Sequence, residues 1–143
     1  SIPKRNSTSK LLINEIQKIK KAEVEPNIVL LGDFNENPDD KNVLLLESSG
    51  LTNLMMAMID KEDVSTYIYR GTNYLYDQII VSNSILDKKG FTLADSSVYI
   101  LDLPKYRQQK GKYKNYPFRF WAGNKLLGGY SDHLAVKVDF IIK

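Results

Sequence analysis

Cysteine is absent from the 143 residues, and histidine and tryptophan occur once each. Without cysteine there is no disulfide, no thiolate zinc centre and no cysteine nucleophile, so a metal would have to be held by oxygen atoms or by one imidazole. The same absence leaves the cellular compartment open. No apolar run approaches the ~20 residues of a transmembrane segment. The opening SIPKRNSTSK is polar and basic with no apolar stretch behind it, which does not fit a secretory signal as it stands. It also lacks an initiator methionine, and the expectation is a chain that begins inside a longer product. With 43% hydrophobic and 26% charged residues the composition is that of an ordinary globular protein, long enough for one domain or part of one.

A net charge of +3 is too small to argue for a nucleic-acid partner, but its distribution is uneven. Leu103 to Ser131 carries seven basic residues and no acidic one, so the rest of the chain is mildly acidic. These 29 residues form a long connection, and loops of that length are commonly functional or mobile.

Ser7, Thr8 and Ser9 offer helix caps, and Leu12, Ile16 and Ile19 recur at helical spacing among lysines, predicting an amphipathic helix over about Ser9 to Ala22. Ile28-Val-Leu-Leu31 ends at Gly32 and reads as a strand buried on both faces. Asn37-Pro38-Asp39-Asp40 predicts a helix start, with the helix running from about Asp39 to Ser48 and stopped by Gly50. Thr66 to Tyr69 and Tyr74 to Val81, around Arg-Gly-Thr-Asn, read as a hairpin. A further strand is expected within Phe91 to Leu101 and a last one over Leu134 to Ile142. The class is α/β with a mixed or antiparallel sheet.

Three places put acids or amides where a strand meets a loop. Gly32-Asp33-Phe34-Asn35 follows the first strand, although an aspartate there also serves as an ordinary turn or cap residue. Asp77 lies in Tyr-Leu-Tyr-Asp-Gln-Ile-Ile-Val, where a carboxylate costs several kcal/mol unless it is paired or faces a polar cleft. Asp132-His133 precedes the last strand, and a lone histidine can equally be a satisfied packing residue. A buried Asp77 in need of a cation and a single His133 would satisfy each other, and such a pair raises the imidazole pKa.

In that order, Gly32-Asp33-Phe34-Asn35, Tyr76-Asp77-Gln78-Ile79-Ile80-Val81-Ser82 and Ser131-Asp132-His133 resemble the carboxyl-terminal half of the endonuclease/exonuclease/phosphatase superfamily, of the exonuclease III and DNase I type. The resemblance implies residues 1–143 as the carboxyl-terminal portion of such a domain, half of a four-layered αββα sandwich with a mainly antiparallel or mixed sheet flanked by helices. It implies a metal-dependent phosphoester hydrolase. Asp33 would orient or deprotonate the attacking water, Asn35 would hold that water or a phosphate oxygen, Asp77 would orient His133, and His133 would meet the phosphate. Asp132 would lie at the metal, Mg²⁺ by the preference of oxygen ligands, with Mn²⁺ or Ca²⁺ as alternatives. The family's first half, with a metal-binding glutamate and an asparagine, has no counterpart among these residues, so weak or no activity is expected of this portion alone.

The basic, aromatic segment Pro104 to Trp121 lies between the Asp77 strand and the Asp132-His133 corner. Its cations suit phosphates and its rings suit bases, sugars or lipid, although a solvated charge run with packed aromatics reads the same way. Arg119 is the candidate for a two-bond grip on a phosphate. The resemblance implies a phosphoester substrate, whether nucleic acid, phospholipid head group or sugar phosphate such as an inositol phosphate. Two other readings stay open: a noncatalytic phosphate or nucleic-acid binding module, and a structural piece that works only when joined to a partner half.

Overall fold

Ser7 and Thr8 do not cap a helix, because their hydroxyls bond back to the carbonyls of Pro3 and Lys4 at 3.1 and 3.0 Å. This arrangement belongs to a helix interior. In the computed structural model, which describes residues 1–143, the first helix (α1) therefore spans Ile2–Ala22, with Ser1 at the N-cap and Pro3 in the first turn, where a missing N–H does no harm. The expected start at Ser9 is corrected by two turns. Ile16 is buried on the inner side of α1, and the Lys20 ammonium donates to the carbonyls of Ser49 and Gly50 at 2.7 and 3.2 Å.

The central sheet has three antiparallel strands: β1 (Val29–Asp33), β2 (Leu51–Asn53) and β5 (Asp77–Ser82), with β5 in the middle. Gln78, Ile80 and Ser82 of β5 face one way, Ile79 and Val81 the other, and all five are buried. Ile80 packs with Ile16, Ile28, Leu51 and Val43 and Leu46 of the short helix α2 (Lys41–Glu47). Ile79 and Val81 pack with Met55, Leu75 and Ile85. Each such isoleucine is worth about 1.5–3 kcal/mol in burial. The doubly buried strand is thus β5. β1, expected to be buried on both faces, is an edge strand with Leu31 60% exposed, because its second edge and outer face have no neighbour in this chain.

α2 begins after a turn in which the Asp40 carboxylate accepts from the Asn37 N–H at 2.7 Å, so Asp39 and Asp40 precede the helix. The hairpin strands are β3 (Tyr67–Tyr69) and β4 (Thr72–Tyr74), turning at Arg70 and Gly71, both at positive φ. The expected continuous strand from Tyr74 to Val81 is broken at Leu75 and Tyr76. There Leu75 N–H turns to the Asn37 side chain and Tyr76 N–H to Thr66 Oγ1. The span Phe91 to Leu101 holds two short strands, β6 (Phe91–Leu93) and β7 (Tyr99–Ile100). Leu134 to Ile142 likewise divides into β10 (Val136–Lys137), paired with β7, and β11 (Phe140–Ile142), paired with β6.

The basic segment is ordered by its own bonds. It contains β8 (Trp121–Ala122) and β9 (Lys125–Leu126), and Arg107 forks onto Asp102 at 2.6 and 2.7 Å while donating to the Asn115 carbonyl at 2.6 Å. The architecture is mixed α/β, with two helices over one face of the central sheet and small antiparallel sheets beyond the other. No helix is long and apolar enough to cross a membrane.

Candidate functional site

Asp33 ends β1 and Asp77 begins β5, and the antiparallel register sets the two residues directly opposite one another. Two carboxylates separated by 44 positions in sequence therefore meet at one end of the sheet. Past Asp33 the chain turns through Asn35 at φ +52°, a left-handed conformation that asparagine tolerates better than most residues. Asn35 donates its backbone N–H to Asp33 Oδ1 at 2.8 Å and its amide to Asp33 Oδ2 at 3.1 Å. The carboxylate is thereby held in one rotamer with Asn35 beside it.

His133 reaches the same place from the far end of the chain. Ser131 Oγ accepts from the His133 N–H at 3.1 Å, and Leu134, 2% exposed, anchors the following residue in the interior. His133 Nδ1 lies 2.7 Å from Asp77 Oδ2, and Nε2 lies 3.9 Å from Asp33 Oδ2. Since a carboxylate only accepts, the proton of the shorter contact sits on Nδ1, leaving Nε2 turned toward Asp33. The hydrogen bond with Asp77 is the chief cause that raises the His133 pKa above its usual 6.5. Burial pulls it down, and the charges of Asp77, Asp33 and Asp132 push it up. The arrangement favours the charged form of the imidazole, next to a carboxylate able to accept a proton or orient a water.

Two residues read in the sequence only as strand formers organise this pair. Thr66 is fully buried, and its Oγ1 accepts from the N–H groups of Tyr76 and Asp77 at 3.1 and 3.2 Å. Its carbonyl accepts from Leu134 N–H at 2.8 Å. One residue thus ties the start of β5, through its hydroxyl, to the residue after the histidine, through its carbonyl. Tyr67 stacks on the imidazole, ring centres 4.7 Å apart. No spacing rule marks either residue in advance. A third feature lies behind Asp77, where the Gln78 amide donates to the Glu36 carbonyl at 2.8 Å and accepts from Asn53 Nδ2 at 2.9 Å. The buried Glu36 carboxylate accepts from Arg5 Nε and Asn42 Nδ2 at 3.0 and 2.8 Å.

Asp132 and Arg119 stand slightly apart from this group. Their side chains are about half and one-third exposed and pair at 3.6 Å. Gly129 is buried, and a Cβ there would collide with the backbone oxygen of Phe118. The approach to Asp132 is therefore a close backbone crossing fixed by the Tyr130 N–H to Phe118 carbonyl bond. No group of three or more His, Asp or Glu side chains is placed to hold a metal ion. With Asp132 beside a guanidinium and Asp33 committed to Asn35, the donors of this chain do not by themselves make a cage for a hard divalent cation.

Searches of curated proteins and of solved structures returned no significant match. A family profile, described as Endonuclease/Exonuclease/phosphatase family, matches residues 1–142. With three strand-to-loop corners carrying Asp33-Asn35, Asp77 and Asp132-His133 and a profile match along nearly its whole length, the chain belongs to the endonuclease/exonuclease/phosphatase family.

Proposed function

We propose that the protein is a phosphoester hydrolase in which Asp33, Asn35, Asp77 and His133 act on the reacting phosphate. The observation that carries this reading is the imidazole held by Asp77 at 2.7 Å with its second nitrogen turned to Asp33 at 3.9 Å. Asp33 orients a water and draws its proton, and Asn35 donates to that water or to a phosphate oxygen. The imidazolium Nε2–H neutralises charge that builds on the phosphoryl oxygens, while Asp77 fixes the ring and keeps it protonated. Arg119 binds a neighbouring phosphate oxygen, exchanging its partner Asp132 for the substrate.

Members of this family commonly use divalent metals. We assign Asp132 as one ligand of Mg²⁺, with the remaining ligands supplied by a segment joined to this one, so that the chain acts as the carboxyl-terminal portion of a larger catalytic domain. Mn²⁺ and Ca²⁺ are alternatives by ligand chemistry. A second reading, a noncatalytic phosphate-binding module, is favoured by the lack of any three His, Asp or Glu side chains converging on one point. The test is hydrolysis of bis-p-nitrophenyl phosphate by the full-length protein with Mg²⁺ and with chelator. His133→Ala should lower kcat by about 10²–10³. A rate unaffected by that change rejects the assignment, and metal-independent phosphate binding without turnover supports the second reading.

A further inference from the structure

Next to the candidate site a cleft of about 830 Å³ opens between the β3–β4 hairpin and the basic segment, a volume typical of ligand sites. Tyr67, Tyr69 and Arg70 form one wall, and Lys112, Tyr113 and Arg119 belong to the other. No acidic residue lines it. It abuts the site through two shared residues, since Tyr67 stacks on His133 and Arg119 pairs with Asp132. The walls are tied together before any ligand arrives. Gly71 N–H of the hairpin donates to the Tyr116 hydroxyl of the basic segment at 2.7 Å, and within that segment Gln108 N–H donates to the Tyr116 carbonyl at 2.8 Å.

The chemistry of the lining couples charge to ring faces. Arg70 lies 5.3 Å from the Tyr69 ring centre and Lys112 lies 5.6 Å from that of Tyr113, while both tyrosines are 50% exposed. Cations beside aromatic faces, on two walls with no acidic residue in the lining, match a polymer that alternates phosphates with flat rings. We propose that this cleft binds single-stranded nucleic acid, with the strand continuing from the ester at His133 between Tyr69 and Tyr113. Its direction toward His133 rests on the hydrolase reading, whereas the binding itself does not. A duplex would leave the tyrosines unused, because its bases are already stacked on one another and only its backbone is presented. A lipid fits less well. Phe120, Trp121 and Leu126, the large exposed apolar groups nearby in sequence, do not line the cleft.

The test is fluorescence anisotropy of the full-length protein with a labelled oligothymidylate of about eight nucleotides, within the usual single-strand site sizes, in chelator so that no turnover occurs. Tyr69→Ala and Tyr113→Ala should each weaken binding by about fivefold or more, as loss of one stacked base does. Arg70→Gln with Lys112→Gln should flatten the slope of log affinity against log salt by about 0.7 per lost phosphate contact. Circular dichroism and thermal melting of each variant establish that the fold is retained. Affinity unchanged in all variants overturns the proposal, as does equal affinity for the same sequence as a duplex. Binding to phosphatidylserine vesicles without binding to the oligonucleotide also overturns it and assigns the surface to lipid. If the oligonucleotide binds and the variants weaken it while bis-p-nitrophenyl phosphate is not hydrolysed, the cleft stands and the hydrolase reading fails. Hydrolysis sensitive to His133→Ala without single-strand binding gives the reverse.

Discussion

Replacing Asp77 by asparagine removes one negative charge 2.7 Å from His133 Nδ1 while keeping the side chain's shape and the backbone pairing of β5. Because His133 is the only histidine, its ring protons give a single NMR titration curve. In the native protein the midpoint should lie above the ordinary value of 6.5, chiefly through the Asp77 hydrogen bond. In Asp77→Asn the midpoint should fall, since burial then acts against only the remaining charges of Asp33 and Asp132. Both partner side chains are largely buried, 20% and 14% exposed, so solvent screens the pair weakly. A hydrogen bond to a charged group contributes about 1.5–3 kcal/mol. The ring's folded-state pKa is raised, so the added stability is complete below the unfolded value of 6.5 and is lost as pH climbs through the folded one. Urea unfolding should therefore report a loss of about 1.5–3 kcal/mol at about pH 5.5 and a markedly smaller one at about pH 9. An unmoved NMR midpoint, or equal losses at the two pH values, would refute the pairing as the source of the charge.

Gly129→Ala should lower stability by about 1–3 kcal/mol or more, because the new Cβ meets the backbone of Phe118 and Arg119 and cannot be relieved by a side-chain rotation. An unchanged urea midpoint would contradict the close crossing. Gln78→Leu strands Asn53 Nδ2 and the Glu36 carbonyl in the interior, at about 1–3 kcal/mol for each unpaired buried group. A neutral urea midpoint there would mean that neither group depends on Gln78. Arg107→Ala removes the fork onto Asp102 and the bond to Asn115, about 1.5–3 kcal/mol of local order. Chymotryptic cleavage after Tyr106 or Tyr113 should then accelerate about tenfold, and an unchanged rate would show that the segment is held by other contacts.

Much of the site could be read before folding because the physics involved was local. A carboxylate in the apolar run around Asp77 had to find a cation, and the chain offers one histidine to a strand mouth. Where local pattern misled, the missing information was the identity of the neighbours. Val29 and Leu31 have the composition of a central strand, yet β1 lies at the sheet edge, while the strand carrying Gln78 and Ser82 is the buried one. Ser7 and Thr8 have the side chains of caps but lie inside α1, since a hydroxyl bonds a preceding carbonyl as readily as a following N–H. The length of the connection from Leu103 to Ser131 suggested a functional or mobile loop, and within it Gly129 admits a close backbone crossing.

Residue type and order by themselves determined the α/β class, the three corners that place acids, an amide and a histidine where a strand meets a loop, and the basic stretch without acids, because each follows from solvation, backbone freedom or charge within a few residues. Only the tertiary structure decided that Asp33 faces Asp77 across a ladder, that Thr66 and Tyr67 hold the histidine, and that Arg70 and Lys112 share a cleft. Those are contacts between segments far apart in the chain, and their geometry depends on strand register, which no short stretch of sequence specifies alone.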